Sequence, residues 1–235
     1  NIYLHQSAGD MVVLNHDNAI TRCFSCKAKG KVLEFSRQER VTHGVFLEDG
    51  VIYRAGSTPQ PILTQREIKI PGIHNVENYM AAICAVEEFA TDEDIRNVAR
   101  NFGGVEHRIE LVRVKDGVSF YNDSIASSPS RTIAGLRSFS QKIVLIAGGY
   151  DKHIPYDVLG PEIVAHVKKL VLTGATAPKI KQAVVHAEEY RPGMPEIMEV
   201  TDFYDAIRMA ADLAEPGDVV MLSPASASFD HFQNF

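Results

Sequence analysis

Cysteine is scarce in this sequence of 235 residues, which contains only Cys23, Cys26 and Cys84. An odd count of this kind fits reduced thiols better than a disulfide framework. Cys23 and Cys26 have the CxxC spacing, but no second pair of cysteines or histidines stands at the spacing of a zinc site. We predict a helix over about residues 17–28 and interpret its two thiols as structural rather than as a redox or zinc site.

The sequence also lacks long apolar runs and an excess of positive charge. No run approaches the ~20 residues of a membrane span, and the first residues do not have the charged-then-apolar layout of a signal peptide. The net charge is −6, the pI is near 5.8 and no basic stripe is visible. These features argue against membrane and nucleic-acid partners. We therefore expect a cytoplasmic monomer whose partners are small molecules.

Phosphate-binding motifs are missing as well. Neither G-x-x-x-x-G-K-[ST] nor G-x-G-x-x-G occurs, so this chain by itself has no familiar loop for a nucleotide triphosphate. Its first residues, 1–4, look like the apolar end of a helix without a start signal. We therefore expect an N-terminal part of the natural protein to be missing from this chain.

Apolar segments and turn signals are present in the order of an α/β protein. Gly103-Gly104 is the best linker candidate, which divides the chain into one domain over residues 1–104 and another over residues 105–235. The first domain contains a hairpin signal at Glu48-Asp49-Gly50 and predicted strands at 11–14, 31–35 and 68–70.

The second domain has a regular alternation of strands and helices. A hairpin turning at residues 115–117 is followed by short apolar strands that alternate with helical patterns, as in a mostly parallel sheet. The strands are predicted at 143–147, 170–173, 197–200 and 219–222, and the helices at 130–139, 156–167, 179–187 and 203–213.

Polar groups follow three of these strands. Residues 122–128 include Asp123 and Ser127, residues 148–152 combine two glycines with Lys152, and residues 223–228 are small or carry hydroxyls and end at Ser228. Parallel strands present their carboxyl ends at one edge of a sheet. We therefore expect a pocket for a small anionic molecule, in which Lys152 pairs with a carboxylate and Ser228 donates a hydrogen bond.

Each of these groups also has a simpler interpretation. Residues 122–124 are typical of an Asx turn, and Ser128 with Pro129 is a common helix start. Residues 148–149 fit an ordinary tight turn, and Lys152 fits a solvated surface lysine. Residue types alone leave both interpretations open.

Two further pairs of polar residues lie near the domain junction or at a helix start. Asn75 and Asn78 lie one turn apart, so their amides face the same way and suit the edge of a purine; equally, they are common capping residues. His107 and Arg108 lie at the predicted junction, where a guanidinium could reach phosphates; the alternative is a salt bridge to a neighbouring glutamate.

Five motifs follow one another along the chain. They are Gly72-x-His74-Asn75-x-x-Asn78, His107-Arg108-x-Glu110, Asn122-Asp123-Ser124 with Ala126 and Ser127, Gly148-Gly-Tyr-Asp-Lys152, and a final run from Leu222 to Phe235. In this order the motifs resemble those of the Mur ligases, and within them of the members that add D-glutamate. The likeness covers nearly the whole chain, as the latter part of a central ATPase domain and almost all of a Rossmann-like C-terminal domain whose last helix is truncated.

The resemblance implies an ATP-dependent ligation that also uses Mg²⁺. ATP phosphorylates the carboxylate of UDP-N-acetylmuramoyl-L-alanine, and the amine of D-glutamate attacks the acyl phosphate to form an amide in peptidoglycan precursor synthesis. Orientation and charge neutralisation supply most of the rate, and the resemblance assigns catalytic roles to Arg108 and Lys152. Metal ligands are expected outside this chain.

The resemblance also implies a set of binding residues. ATP contacts are implied for Asn75, Asn78, His107, Arg108 and Asp123. D-glutamate contacts are implied for Ser127, Lys152, Ser228 and, through its backbone, Phe235.

The sequence departs from the family at Ile125, where many relatives carry a lysine. A cationic contact to the nucleotide is therefore lost or replaced, with Arg131 as the candidate replacement. We expect this chain to be inactive without the missing P-loop and UDP-binding domain. Two alternatives stay open: another Mur ligase or a folylpolyglutamate synthetase relative, and a non-catalytic module that binds an amino acid or nucleotide.

Overall fold

The computed structural model describes residues 2–228 of the chain, which divides into two compact units over residues 1–103 and 104–235. Each unit has its own sheet and its own hydrophobic core, so each is α/β. Within residues 2–228 there is no helix long and apolar enough to cross a membrane.

The first unit contains a mixed five-stranded sheet in the order β1-β2-β3-β4-β5. β1, β2 and β3 are parallel, while β3–β4 and β4–β5 are antiparallel. Asp49 and Gly50 both have positive φ between β3 and β4, which confirms the predicted hairpin. The strands are β1 Met11–Asn15, β2 Lys31–Ser36, β3 Gly44–Glu48, β4 Val51–Arg54 and β5 Gln60–Thr64.

Two segments of this unit differ in strand structure from what the sequence predicts. The predicted strand at 68–70 is irregular, because Ile68 is buried in the core while the Lys69 amide donates to the Ala99 carbonyl instead of pairing in a sheet. The neighbouring strand is β5, which was not predicted because it contains Pro61. An edge strand tolerates proline, since one side of its backbone is not paired.

The helices of the first unit are α1 Ala19–Arg22, α2 Ile73–Ala85 and α3 Asp92–Asn101. Asn18 caps α1, but this helix lasts four residues instead of running to residue 28. Cys23 ends this helix and Cys26 lies in a separate 3₁₀ turn, so the two cysteines do not share one helix. Both thiols are exposed. Cys84 on α2 is buried, and burial raises the pKa of its thiol to about 12.

The second unit contains a six-stranded sheet in the order β10-β9-β8-β11-β7-β6. Every neighbouring pair is parallel except the β6–β7 hairpin, as the sequence predicts. Val219 on β11 pairs with Ser119 on β7, and Val220 pairs with Val144 on β8. The strands are β6 Glu110–Lys115, β7 Val118–Asn122, β8 Ile143–Ala147, β9 Val167–Leu172, β10 Glu196–Glu199 and β11 Val219–Leu222.

Helices cover both faces of this sheet. Leu136 of α4 and the buried hydrophobic side chains of α5 and α6 belong to one core cluster, whereas Ala206 and Ala210 of α7 belong to a second cluster with Val144 and Val171. All five residues of β8 are therefore buried, as is usual for a parallel strand between two helical layers. The helices are α4 Pro129–Leu136, α5 Leu159–His166, α6 Ala177–Val185 and α7 Phe203–Asp212.

Candidate functional site

Three loops emerge together from the second sheet. We call them the β7 loop (122–128), the β8 loop (148–152) and the β11 loop (223–228). Because β11 lies between β7 and β8 and is parallel to both, the loops leave the sheet at one edge. The Gly148 amide donates to the Pro224 carbonyl at 2.9 Å, and the Asp123 amide donates to the Leu222 carbonyl at 2.8 Å. The predicted meeting of the three loops is confirmed.

Asp123 lies at the centre of this edge and is 3% exposed. Its Oδ2 accepts a hydrogen bond from the Ser223 hydroxyl at 2.7 Å, and its Oδ1 accepts one from the Ile109 amide at 3.2 Å. Burial raises the pKa of this carboxyl to about 6, although both hydrogen bonds and the charges of Arg108 and Arg131 act in the opposite direction. Both oxygens are therefore used within the unit, and an ATP contact for Asp123 stays a prediction.

The turn that precedes β6 is strained and held from several sides. His107 and Ile109 have φ of 65° and 46°, and positive φ is unusual for a β-branched residue. The His107 amide donates to Glu110 Oε2 at 2.8 Å, and the Asn122 amide nitrogen lies 2.9 Å from His107 Nδ1. The Ile125 amide donates to the His107 carbonyl at 3.2 Å, which attaches the β7 loop to this turn. His107 therefore shapes the turn as well as being a candidate ligand contact.

Arg108 lies between these two strained residues and is exposed. In the described part of the chain it forms no ion pair with Glu106 or Glu110, since the Glu110 carboxylate accepts from the His107 amide. The alternative of a local salt bridge is not found there. The guanidinium is thus on the surface close enough to Asp123 to lower the pKa of that carboxyl.

The β7 loop contains the Asx turn that its sequence suggests. The Ser124 amide donates to Asn122 Oδ1 at 3.0 Å, and the Ala126 amide donates to the Asp123 carbonyl at 2.9 Å. Ser127 follows, half-buried, before Ser128 and Pro129 begin α4 as predicted. The loop is therefore a defined turn at the shared edge, so the structural and the binding interpretations are compatible.

Arg131, on the first turn of α4, contacts the backbone of Ile125. Its Nη1 donates to the Ile125 carbonyl at 3.3 Å, and its charge lowers the pKa of Asp123. The guanidinium is exposed. The structure thus puts a cation beside Ile125, while its contact with a nucleotide stays a prediction.

The two glycines of the β8 loop are required by the packing of the chain itself. Gly148 and Gly149 have φ of 110° and 148°. A Cβ atom at Gly148 would lie 1.9 Å from the Thr173 carbonyl oxygen, and one at Gly149 would lie 2.4 Å from the Ala227 carbonyl oxygen. The tight-turn interpretation is therefore sufficient to explain these glycines.

Lys152 lies at the end of the β8 loop and is exposed. The neighbouring Asp151 is held by Lys179, at 2.6 Å, and by the His153 amide. Lys152 itself has no ion pair with the described residues. This is compatible with a surface lysine and with a lysine that receives a carboxylate.

Hydroxyl groups of the β11 loop face both the interior and the surface. Ser226 is 1% exposed and lies 2.8 Å from both the Tyr156 hydroxyl and Thr176 Oγ1. Ser223 is fully buried beside Asp123, whereas Ser228 is partly buried. Phe235 lies outside the described residues. Ser228 is thus the only hydroxyl of this loop that was predicted as a site residue, whereas the buried Ser223 and Ser226 were not predicted to have a role.

Asn75 and Asn78 contact each other at the start of α2 in the first unit. The Asn78 amide nitrogen donates to Asn75 Oδ1 at 3.2 Å, which confirms that the two amides face the same way. Asn75 is 8% exposed and donates to the Pro71 carbonyl at 2.5 Å, while Asn78 is exposed. The N-cap of α2 is Gly72, so neither asparagine has the predicted alternative role of N-cap.

The sequence of the second unit matches a known protein family. A model of the family described as "Mur ligase, glutamate ligase domain" matches residues 107–226, just over half of the chain. The chain belongs to the Mur ligase family. The match begins at His107 and includes the β7 loop, the β8 loop and the β11 loop as far as residue 226, so Ser228 lies just outside it.

Curated relatives match over the whole length of this Mur ligase chain. The UDP-N-acetylmuramoylalanine–D-glutamate ligase of Acetivibrio thermocellus is 54% identical over 239 residues, and that of Clostridium novyi is 48% identical over 236 residues. Each alignment covers 100% of the chain and 51% of the relative. The chain thus spans about half the length of the curated relatives it matches.

Solved structures of Mur ligases and related ligases share the fold. MurF from Acinetobacter baumannii has a TM-score of 0.72 at 16% identity, covering 99% of this chain and 52% of that chain. The bifunctional folylpolyglutamate synthase/dihydrofolate synthase from Yersinia pestis has a TM-score of 0.67 at 14% identity, covering 94% and 51%. These likenesses show that the Mur ligase fold is present, and they do not distinguish among the substrates of these proteins.

Proposed function

We propose that this Mur ligase chain belongs to an ATP-dependent amide ligase that adds D-glutamate to UDP-N-acetylmuramoyl-L-alanine in peptidoglycan precursor synthesis. The observation that carries the proposal is the 54% identity, over the whole chain, with a protein named UDP-N-acetylmuramoylalanine–D-glutamate ligase. The reaction activates the alanyl carboxylate as an acyl phosphate at the expense of ATP. The amine of D-glutamate then displaces phosphate and forms the amide.

Arg108 and Lys152 are the residues of the second unit best suited to neutralise the negative charges of this reaction. Both are exposed, and neither forms an ion pair in the described part of the chain. In the proposal, Arg108 faces the phosphoryl groups and Lys152 pairs with a carboxylate of D-glutamate. Ser127 and Ser228 donate hydrogen bonds to D-glutamate, and Phe235 adds a backbone contact.

The nucleotide contacts are proposed on both units. On the second unit, contacts are proposed for His107, which belongs to the turn that presents Arg108, and for Asp123, which holds that turn through the Ile109 amide. On the first unit, Asn78 is exposed and joined to Asn75, so this pair offers an amide donor and acceptor to the edge of the adenine.

Magnesium is expected with ATP in this reaction, and its ligands are expected mostly outside this chain. Among residues 2–228 there is no group of three or more histidine, cysteine, aspartate or glutamate side chains that could hold a metal ion. In nucleotide sites Mg²⁺ is usually held by one or two carboxylates together with phosphate oxygens and water. No step of the proposed mechanism is assigned to a metal held by these residues.

The role of Lys152 is tested by titrating D-glutamate against the full-length protein with ATP and the UDP substrate present. The Lys152→Ala variant loses a charge-assisted contact, which corresponds to a rise in the KM for D-glutamate on the order of 10- to 100-fold. The KM for ATP should stay unchanged. Lys179→Ala is the matched control, because it removes a lysine bound to the same loop without removing the proposed contact.

Unchanged saturation by D-glutamate in Lys152→Ala would refute the role of this lysine. Replacing D-glutamate by L-glutamate or by a diamino acid tests the substrate itself. Turnover with a diamino acid and none with D-glutamate would overturn the proposed function in favour of another Mur ligase activity.

A further inference from the structure

Three buried polar side chains meet behind the candidate site, and each comes from a different element. Ser223 begins the β11 loop, Asp123 follows β7 and Thr132 lies on α4; Ser223 and Thr132 are fully buried and Asp123 is 3% exposed. Ser223 Oγ is 2.7 Å from Asp123 Oδ2 and 3.0 Å from Thr132 Oγ1. A serine has a single hydroxyl proton, and the carboxylate is the stronger acceptor, so Ser223 donates to Asp123. The Thr132 hydroxyl lies within hydrogen-bond distance of both the Ser223 hydroxyl, at 3.0 Å, and the Ser223 carbonyl oxygen, at 3.5 Å.

The second oxygen of Asp123 connects this cluster to the strained turn before β6. Asp123 Oδ1 accepts from the amide of Ile109, a buried β-branched residue with φ of 46°. Conformations of this kind persist only where surrounding contacts hold them. His107, with φ of 65°, is the other strained residue of the turn, and Arg108 lies between the two.

We propose that Ser223 is a positioning residue for the reaction, which fixes Asp123 and, through the Ile109 amide, the turn that presents Arg108 to the nucleotide. The catalytic part of this inference rests on the proposed function, whereas the hydrogen-bonded chain from Ser223 to Ile109 does not. Ser223 touches no ligand in this arrangement. It acts by limiting the orientations of the carboxylate, which in turn limits the orientation of the backbone on either side of Arg108.

The structural part is tested by hydrogen exchange on this chain. Ser223→Ala removes the proton donated to Asp123, so the amides of Ile109 and Ile125, which hold the turn, should exchange about tenfold faster. Ser226→Ala is the matched control, because it removes an equally buried hydroxyl from the same loop that contacts Tyr156 and Thr176 instead. Equal exchange at these two amides in both variants, or no change in Ser223→Ala, would overturn the proposal.

The catalytic part is tested by steady-state kinetics on the full-length protein. Ser223→Ala should raise the KM for ATP about tenfold and leave the KM for D-glutamate within about twofold. Partial unfolding lowers only the concentration of active enzyme and therefore does not produce this split between the two substrates. An unchanged KM for ATP would contradict the positioning role.

A second pair of variants keeps the proposal testable if Ser223→Ala does not fold. Thr132→Val removes the neighbouring hydroxyl while keeping the shape of the side chain, and Thr132→Ser retains the hydroxyl. Faster exchange of the Ile109 amide in Thr132→Val with rescue in Thr132→Ser supports the network, and identical behaviour of the two variants contradicts it. An exchange effect without any ligation of D-glutamate would refute the proposed function but leave the network intact.

Discussion

The raised pKa of Asp123 predicts a specific dependence of stability on pH. Its pKa rises from 3.8 in the unfolded chain to about 6 in the folded unit, because the carboxyl is buried. The folded state therefore binds more protons than the unfolded state between these two pH values, and stability falls as the pH rises through this window. The difference of about two pH units corresponds to a loss of about 3 kcal/mol, complete above pH ~7 and absent below pH ~3.

Asp123→Asn removes this titration while keeping a carbonyl oxygen for the Ile109 amide. The free energy of unfolding of wild type minus that of the variant should therefore decrease by about 3 kcal/mol between pH 3 and pH 7. The carboxyl groups common to both proteins cancel in this difference. Because each unit has its own core, the measurement must report on the second unit alone. It is made by urea unfolding followed through hydrogen exchange of the β8 amides, since all five residues of β8 are buried.

The opposite slope would refute the physical reasoning. If the difference increased with pH, the hydrogen bonds from Ser223 and Ile109 and the charges of Arg108 and Arg131 would outweigh burial, and the pKa of Asp123 would lie below 3.8. A flat difference would mean that the two effects cancel. Direct titration of the Asp123 carboxyl carbon by NMR separates these outcomes from any effect of the amide substitution itself.

Two further predictions concern the framework of each unit. Gly148→Ala should destabilise the second unit by clearly more than Gly193→Ala, as measured by urea unfolding. Both glycines have positive φ, but only at Gly148 would the new Cβ overlap a backbone oxygen, at 1.9 Å. Gly193→Ala should lower the free energy of unfolding by about 1–2 kcal/mol through the backbone conformation alone. Thr91→Ala should destabilise the first unit by about 1 kcal/mol in the same assay, because Thr91 and Asp94 form a capping box at the start of α3; equal stability would contradict it.

The fold of the second unit could be predicted from the sequence because its strands are short apolar runs separated by helical patterns. The strand at 143–147 agrees with β8 at both ends, and the strand at 219–222 agrees with β11. The order of the strands does not follow from local pattern, since β11 is inserted between β7 and β8 by contacts that are distant in sequence. The strands of the first unit are less predictable from the sequence. Pro61 is unusual in a strand, although it lies in β5, and Ile68, in the apolar segment at 68–70, is buried without pairing in a sheet.

The position of the candidate site in the fold could be predicted from the sequence, but the hydrogen bonds among its residues could not. Strand ends and loop composition indicate that the three loops meet, since that follows from parallel strands in one sheet. They do not indicate which hydroxyl of the β11 loop faces the interior. A strand that is buried on both faces has no alternation of polar and apolar residues from which the orientation of the following side chains could be predicted. Ala225, with φ of 56°, reverses the chain between Ser223 and Ser226, and neither residue type nor spacing predicts that conformation.

Two energetically unfavourable features of this site, a strained backbone and a buried charge, meet at the hydrogen bond between Ile109 and Asp123 and partly offset each other. A positive φ at Ile109 is costly, and so is an ionised carboxylate at Asp123 in the interior. The strained backbone directs the Ile109 amide toward the carboxylate, and this hydrogen bond favours the ionised form of Asp123. Relaxing the turn would leave the carboxylate with one fewer donor, and neutralising the carboxylate would weaken the contact that holds the turn. The strained backbone at Ile109 and the buried carboxylate of Asp123 therefore stabilise each other. Arg108, the proposed cation for the phosphoryl groups, is the exposed residue between the two positions with positive φ.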